Sequence, residues 1–150
     1  MQKILFFLFF SSFTTFVSAQ ISAPKPNAPA MLEKKLIGTK KISLQWISWN
    51  DFGNAKIFKR NDTLHIKGEQ KSKENSDFVR IEGYLEPLSE REFKFTGIIL
   101  TQVSHINKGK PCKREGSYTF KATQNRKFWR LKDMLNCDGE VTDYVDIYFF

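Results

Sequence analysis

The side chains best suited to acid–base chemistry in this sequence are two histidines, His65 and His105. No G-x-S-x-G elbow, H-E-x-x-H pair or glycine-rich phosphate loop accompanies them in the sequence. His65 alternates with Leu64 and Ile66, so we predict a cross-strand position facing solvent rather than a catalytic base. The motifs therefore argue against an enzyme, although catalytic groups distant in sequence leave an unrecognised type open.

Four acidic residues near the C-terminus could be interpreted as calcium ligands: Asp138, Glu140, Asp143 and Asp146. Their spacing lacks the D-x-D-x-D-G pattern of a calcium loop, and Asp138-Gly139-Glu140 suits an ordinary hairpin turn. Asp143 and Asp146 also differ in parity, so a regular strand would point them to opposite faces. We therefore expect no metal site and no cofactor.

Tryptophan and arginine offer a binding surface. Flat rings and a guanidinium on an exposed face can stack on sugars or nucleobases, and the candidates are Trp46, Trp49, Trp129 and Arg130. Most aromatic rings must fill the core, because the chain has 15 phenylalanines. Trp129, among basic neighbours, is the best candidate for an exposed ring.

The first residues have the three parts of a secretory signal peptide. Lys3 supplies the charge, Ile4 to Phe10 the apolar stretch and Val17-Ser18-Ala19 a cleavage site, which predicts a mature chain starting at Gln20. The apolar run is shorter than the roughly 20 residues that span a bilayer, so we expect no retained transmembrane segment. The protein should be exported, to the periplasm or the medium.

The two cysteines agree with an oxidising compartment. Cys112 and Cys137 lie 25 residues apart (137 minus 112) and form no C-x-x-C pair. An even count in an exported protein favours a disulfide over redox catalysis or zinc binding.

The charge is strongly basic. The formal net charge of +8 becomes about +7 without the signal peptide. The excess of lysine and arginine either attracts polyanions or keeps the surface solvated, and both interpretations remain open. We expect the partner to be a small molecule, a glycan or an envelope protein rather than nucleic acid.

The chemistry-bearing residues must be positioned by strands. We divide the chain into a signal peptide at 1–19, a flexible leader with a possible short helix at 20–40, and a β domain at 41–150. In the β domain Ile42, Leu44 and Trp46 alternate with polar residues, and Asn61-Asp62 marks a hairpin. Gly97 beside an unbroken apolar run suggests a bulge or sharp bend.

About eight strands follow one another in this way, and Asp138-Gly139 supplies the last turn between Phe128 to Leu135 and Val141 to Phe149. The fold class is therefore all-β: an antiparallel meander forming a small barrel or a sandwich, with at most one short N-terminal helix.

The last third of the chain resembles uncharacterised small exported β-rich proteins of Bacteroidota. The segments that carry the resemblance are Gly109-Lys-Pro-Cys112-Lys-Arg-Glu-Gly116, Lys127-Phe-Trp-Arg-Leu131, Met134-Leu-Asn-Cys137 and Asp143-Tyr-Val-Asp-Ile-Tyr148. It implies a periplasmic or secreted bacterial protein and brings no activity or site residues.

Together these features favour an exported, non-catalytic small binding domain. Such a domain needs an open apolar pocket or an exposed aromatic strip. An envelope-associated interaction or structural protein is the alternative, and an enzyme is the least favoured class.

Overall fold

The computed structural model describes residues 27–150, so the predicted signal peptide and the first part of the leader lie outside the described residues. One α-helix, one short 3-10 helix and eight β-strands make up this part of the chain. Their bounds are α1 Ala28–Leu36, β1 Gly38–Leu44, β2 Gly53–Arg60, β3 Thr63–Lys71, β4 Phe78–Ser89, β5 Glu92–Gln102, the 3-10 helix Asn107–Gly109, β6 Cys112–Lys121, β7 Phe128–Leu131 and β8 Val145–Tyr148.

The short helix α1 begins directly after Asn27, which caps it. The side chain of Asn27 accepts a hydrogen bond from the Ala30 amide at 2.9 Å, and Pro29 lies in the first turn, where its missing N–H costs nothing. Leu32 and Leu36, one helical turn apart, are both buried, and α1 packs against β4. The prediction of a single short N-terminal helix is confirmed.

The strands form a closed antiparallel barrel. Each strand pairs with the next, and β8 pairs with β1 through Ile147 opposite Ile42. The sequence left barrel and sandwich open, and this pairing decides for the barrel. β1 begins at Gly38, ahead of the predicted domain boundary at residue 41.

Two predicted turns are present as expected. Asn61 and Asp62 both have positive φ, which suits the tight turn between β2 and β3. Gly139 has a φ of +78° and donates to the Asn136 carbonyl, within the connection between β7 and β8. Those two strands are shorter than predicted, since β7 ends at Leu131 and β8 starts at Val145.

The barrel interior is filled by the protein's own side chains. Phe93, Phe95, Phe120 and Trp129 are fully buried. Phe93 stacks on Phe120 with ring centroids 5.2 Å apart, and Trp129 meets Phe93 edge-on at 5.7 Å. An eight-stranded barrel is just wide enough for such filling. The interior therefore offers little room for a ligand.

Three paired glycines allow neighbouring strands to approach closely. Gly83, Gly97 and Gly116 lie side by side on β4, β5 and β6. A Cβ on Gly97 would lie 2.2 Å from the Glu82 carbonyl oxygen, and the Phe95 ring occupies the space inside. The register continues unbroken through Gly97, so a bulge there is wrong, and the irregularity lies near Pro87 instead.

The barrel has two distinct ends. The end where α1, the β2–β3 turn and the β4–β5 turn lie is called the helix end here. The opposite end carries the connections between β1 and β2, β3 and β4, β5 and β6, and β7 and β8, and is called the loop end.

Candidate binding surface

A row of aromatic side chains crosses the outer face of the barrel on β2, β3 and β4. Phe58 lies opposite His65, and His65 lies opposite Tyr84. The Phe58 and His65 rings stack at 5.2 Å with an interplanar angle of 9°, and the Tyr84 ring meets His65 at 4.9 Å. Phe58 is 37% exposed and Tyr84 is 53% exposed. We call these three residues the aromatic row.

Two hydroxyl side chains extend the line of the aromatic row onto β5 and β6. Thr96 lies opposite Tyr84, and Ser117 lies opposite Thr96. Their hydroxyls are hydrogen-bonded to each other at 2.9 Å on the exposed surface. Apolar ring faces and hydroxyl groups therefore follow one another along a single line. Neighbouring strands are about 4.8 Å apart, so the three rings extend over about 10 Å.

An open groove of about 360 Å³ lies along the aromatic row. Its walls include Ile98 and the charged side chains of Lys67, Glu82 and Glu115. Lys67 and Glu82 form an exposed ion pair at 3.1 Å. The groove thus combines flat rings with exposed polar groups, a surface suited to a ligand with one apolar face and hydrogen-bonding edges. His65 has the cross-strand, outward position that the alternation predicts.

The two N-terminal tryptophans lie away from this row, at the loop end. β1 ends at Leu44, where a turn closes with a hydrogen bond from the Ile47 amide to the Leu44 carbonyl, so the expected strand through Trp46 is wrong. Trp46 is half-buried and donates its indole N–H to Asp143 at 3.2 Å. Trp49 is 50% exposed on the same connection.

Trp129 and Arg130 lie on opposite faces of β7. Trp129 points into the barrel and is fully buried, so its expected exposure is wrong. Alternation alone could not decide which face of this four-residue strand points inward. Arg130 lies on the outer face and makes two hydrogen bonds to Asp146, at 2.8 and 2.6 Å. The four predicted binding residues therefore do not form one surface.

Asp143 is the centre of a buried polar network at the loop end, which the sequence did not reveal. Its carboxylate accepts hydrogen bonds from Trp46, from Thr101 at 3.2 Å, from Asn136 at 2.8 Å and from Arg114 at 3.2 Å. Asp143 is fully buried, and the Arg114 side chain is 9% exposed. Burial lowers the pKa of Arg114, and the charge of Asp143 opposes that shift. The network joins four segments of the barrel.

The predicted disulfide is present. Cys112 at the start of β6 is bonded to Cys137 in the connection between β7 and β8. The bond holds the segment that supplies Asn136 and Asp143 to the network. Within residues 27–150 neither cysteine is free.

The acidic residues near the C-terminus are dispersed by the fold. Asp143 and Asp146 are buried and each binds a different arginine, whereas Asp138 and Glu140 are exposed in the turn. The described part of the chain brings no group of three or more histidine, cysteine or carboxylate side chains together as metal ligands.

Comparison with known proteins gives a family for this barrel. The profile of the PM1083 family matches residues 19–149. An uncharacterised protein of Pasteurella multocida, PM1083, is 47% identical over 133 residues, which cover 89% of this chain and 86% of that protein. The chain belongs to the PM1083 family. No solved structure matches it significantly.

The PM1083 family match includes all eight strands of the barrel. The resemblance inferred from the last third of the sequence was therefore drawn too narrowly. Neither match concerns Bacteroidota, so that source stays a prediction. Among the described residues of this PM1083-family protein, none of the helices is long and apolar enough to cross a membrane.

Proposed function

We propose that this protein is an exported, non-catalytic binding domain that holds a glycan on the aromatic row of its outer face. The observation that carries the proposal is the exposed line of rings and hydroxyls from Phe58 to Ser117. The C–H face of a sugar ring packs on an aromatic face, while its hydroxyls bind polar groups at the ring edges. The Tyr84 phenol and the hydroxyls of Thr96 and Ser117 both donate and accept hydrogen bonds.

The filled interior supports an external site. Many barrels bind ligands inside, but here buried rings meet one another across the interior. An exposed row needs no rearrangement of the core. The rings are also held before binding, since Phe58 and His65 are stacked, and a preorganised surface loses less conformational freedom on binding.

The arrangement of titratable groups supports a non-catalytic role. His65 lies in the aromatic row, and His105 lies at the loop end beside Trp46, with ring centroids 5.8 Å apart. The most buried carboxylates, Asp143 and Asp146, are engaged by arginines. The two histidines therefore serve different regions, and general acid–base catalysis would need such groups to converge on one substrate.

Export rests on the N-terminal sequence and on the disulfide, which is compatible with an oxidising compartment. The family match begins at residue 19, next to the expected cleavage site. Expression of the full chain in a Gram-negative host tests this, with the intact mass of the periplasmic product as the measurement. We expect a chain that starts at Gln20, and retention of Met1 to Ala19 on a cytoplasmic product would contradict export.

Glycan binding is tested with residues 20–150 on an array of bacterial envelope oligosaccharides, followed by calorimetry with the strongest binder. We expect Phe58→Ala and Tyr84→Ala each to weaken binding about tenfold, which corresponds to about 1.4 kcal/mol. Leu88→Ala is the matched control, because Leu88 is an exposed apolar residue of β4 outside the row, at 47% exposure.

Binding that Leu88→Ala weakens as much as Tyr84→Ala would contradict a site on the aromatic row. The absence of any glycan that the wild-type protein binds would contradict the ligand class. A protein partner whose binding Tyr84→Ala abolishes would then favour the alternative, an envelope-associated interaction protein.

A further inference from the structure

A second groove lies on the outer face of β6 and β7, and it shares no residue with the line of rings and hydroxyls from Phe58 to Ser117. It encloses about 160 Å³, and its rim carries four basic side chains, namely Lys121, Arg126, Arg130 and Lys132. Lys121 lies directly opposite Arg130 in the antiparallel pair. Like charges at such positions destabilise a sheet unless anionic groups lie nearby. We call this feature the basic groove.

Arg130 is held firmly in place. Two hydrogen bonds tie its guanidinium to Asp146, and these bonds raise the pKa of Arg130. The guanidinium also lies over the Tyr144 ring, 4.1 Å from its centroid, and over Phe128 at 5.0 Å. A cation fixed by a carboxylate and two rings is oriented before any ligand arrives, which reduces the entropy lost on binding.

The turn that carries Arg126 is fixed as well. The Arg126 amide donates to the Thr123 carbonyl at 3.1 Å. On the other side of the turn, Arg91 donates to the carbonyls of Ala122 and Gln124. The backbone of Arg126 is thus fixed at the groove, while its side chain is exposed.

The charges of the basic groove are only partly balanced by the fold. Lys121 pairs with Glu92 at 2.8 Å, and Arg130 pairs with Asp146. Across residues 27–150, Arg126 and Lys132 have no carboxylate within 4.0 Å. Two positive charges therefore remain at one small groove.

We propose that the basic groove binds a phosphoryl group. A doubly charged anion balances the two remaining cations, and arginine guanidinium groups match phosphate oxygens with paired N–H donors. The Met134 side chain also lines the groove, so the group attached to the phosphate meets an apolar contact. This site is independent of the glycan surface, because it shares no residue with the aromatic row.

The test uses residues 20–150 and pyrophosphate as the probe, with amide shifts in nuclear magnetic resonance spectra as the readout. We expect saturable binding with shifts at residues 121–132, weakened at least tenfold in Arg126→Gln/Lys132→Gln. Lys108→Gln/Lys110→Gln is the matched control, because it removes two exposed lysines at the loop end and should change the affinity less than twofold. Acetate at equal concentration should not saturate the site.

A parallel arm with phosphatidylglycerol and phosphatidylcholine vesicles distinguishes the source of the phosphoryl group. Loss of phosphatidylglycerol binding in Arg126→Gln/Lys132→Gln alone assigns a lipid headgroup, and pyrophosphate binding without vesicle binding assigns a soluble phosphate. Pyrophosphate shifts that do not saturate, or that both double variants reduce equally, would overturn the proposal. Retained glycan binding by Arg126→Gln/Lys132→Gln would show that the two surfaces are separate.

Discussion

Replacing Asp143 by alanine should cost more stability than the loss of any exposed ion pair. The substitution removes the carboxylate that accepts hydrogen bonds from Trp46, Thr101, Asn136 and Arg114. It leaves the Arg114 guanidinium buried without its counter-charge. Breaking a buried pair by removing one partner costs about 3–5 kcal/mol.

Urea unfolding followed by tryptophan fluorescence measures this loss, since Trp46 contacts Asp143 directly. With a denaturant dependence of about 2 kcal/mol per molar urea, the midpoint should fall by about 2 M. Glu82→Ala is the matched control. Its pair with Lys67 is exposed, and such pairs contribute less than about 1 kcal/mol.

A double variant separates the buried charge from lost packing. Asp143→Leu/Arg114→Met removes both charges and keeps apolar volume, so we expect it to recover the part of the loss that comes from the unpaired charge. The donors of Trp46, Thr101 and Asn136 still lack their acceptor in this variant, so recovery should be incomplete. A cost below about 1 kcal/mol for Asp143→Ala would refute the reasoning. A double variant as unstable as the single one would show that geometry, rather than charge balance, makes the network important.

Three further predictions concern other parts of the barrel. Gly97→Ala places a Cβ 2.2 Å from a backbone oxygen and should lower the free energy of unfolding by about 1–3 kcal/mol, and an unchanged urea midpoint would argue against a close approach of the strands. Cys112→Ser/Cys137→Ser opens a loop of 25 residues and should lower the free energy of unfolding, measured by calorimetry, by about 3–4 kcal/mol, and a loss below about 1 kcal/mol would contradict this estimate. Burial raises the pKa of Tyr148, so the folded state holds the phenol proton more tightly than the unfolded chain. The stability that the neutral Tyr148 phenol contributes is fully present below the unfolded pKa of about 10 and is lost as pH rises through the folded pKa. In a pH titration, the absorbance change of Tyr148 should therefore occur at a higher pH than that of free tyrosine. Ser43→Ala should move this absorbance change to a still higher pH, because the hydrogen bond with the Ser43 hydroxyl lowers the Tyr148 pKa.

The sequence could not identify the aromatic row as a site. Alternation placed His65 on the outer face, and the Asn61-Asp62 turn sets it opposite Phe58. Tyr84 joins them only through the register between β3 and β4, and the sequence of the connection at residues 72–77 did not predict that register. Sequence reasoning favoured tryptophans instead, and the fold placed Trp129 in the core. Alternation along each strand places Phe58, His65 and Tyr84 on the outer face, and this shared position is the signal that could have found the row.

The sequence by itself determined the local features of this protein: strands from two-residue alternation, hairpins from their turn residues, at most one short N-terminal helix and the disulfide partners. These depend on neighbouring residues or, for the disulfide, on there being two cysteines. Only the tertiary structure decided that β8 pairs with β1, that Asp143 and Arg114 meet inside the barrel, and that Lys121 lies opposite Arg130. Each of these joins residues whose distance is set by the register and twist of several strands together. Alternation divides the side chains of a strand between two faces and says nothing of a side chain's neighbour across the sheet.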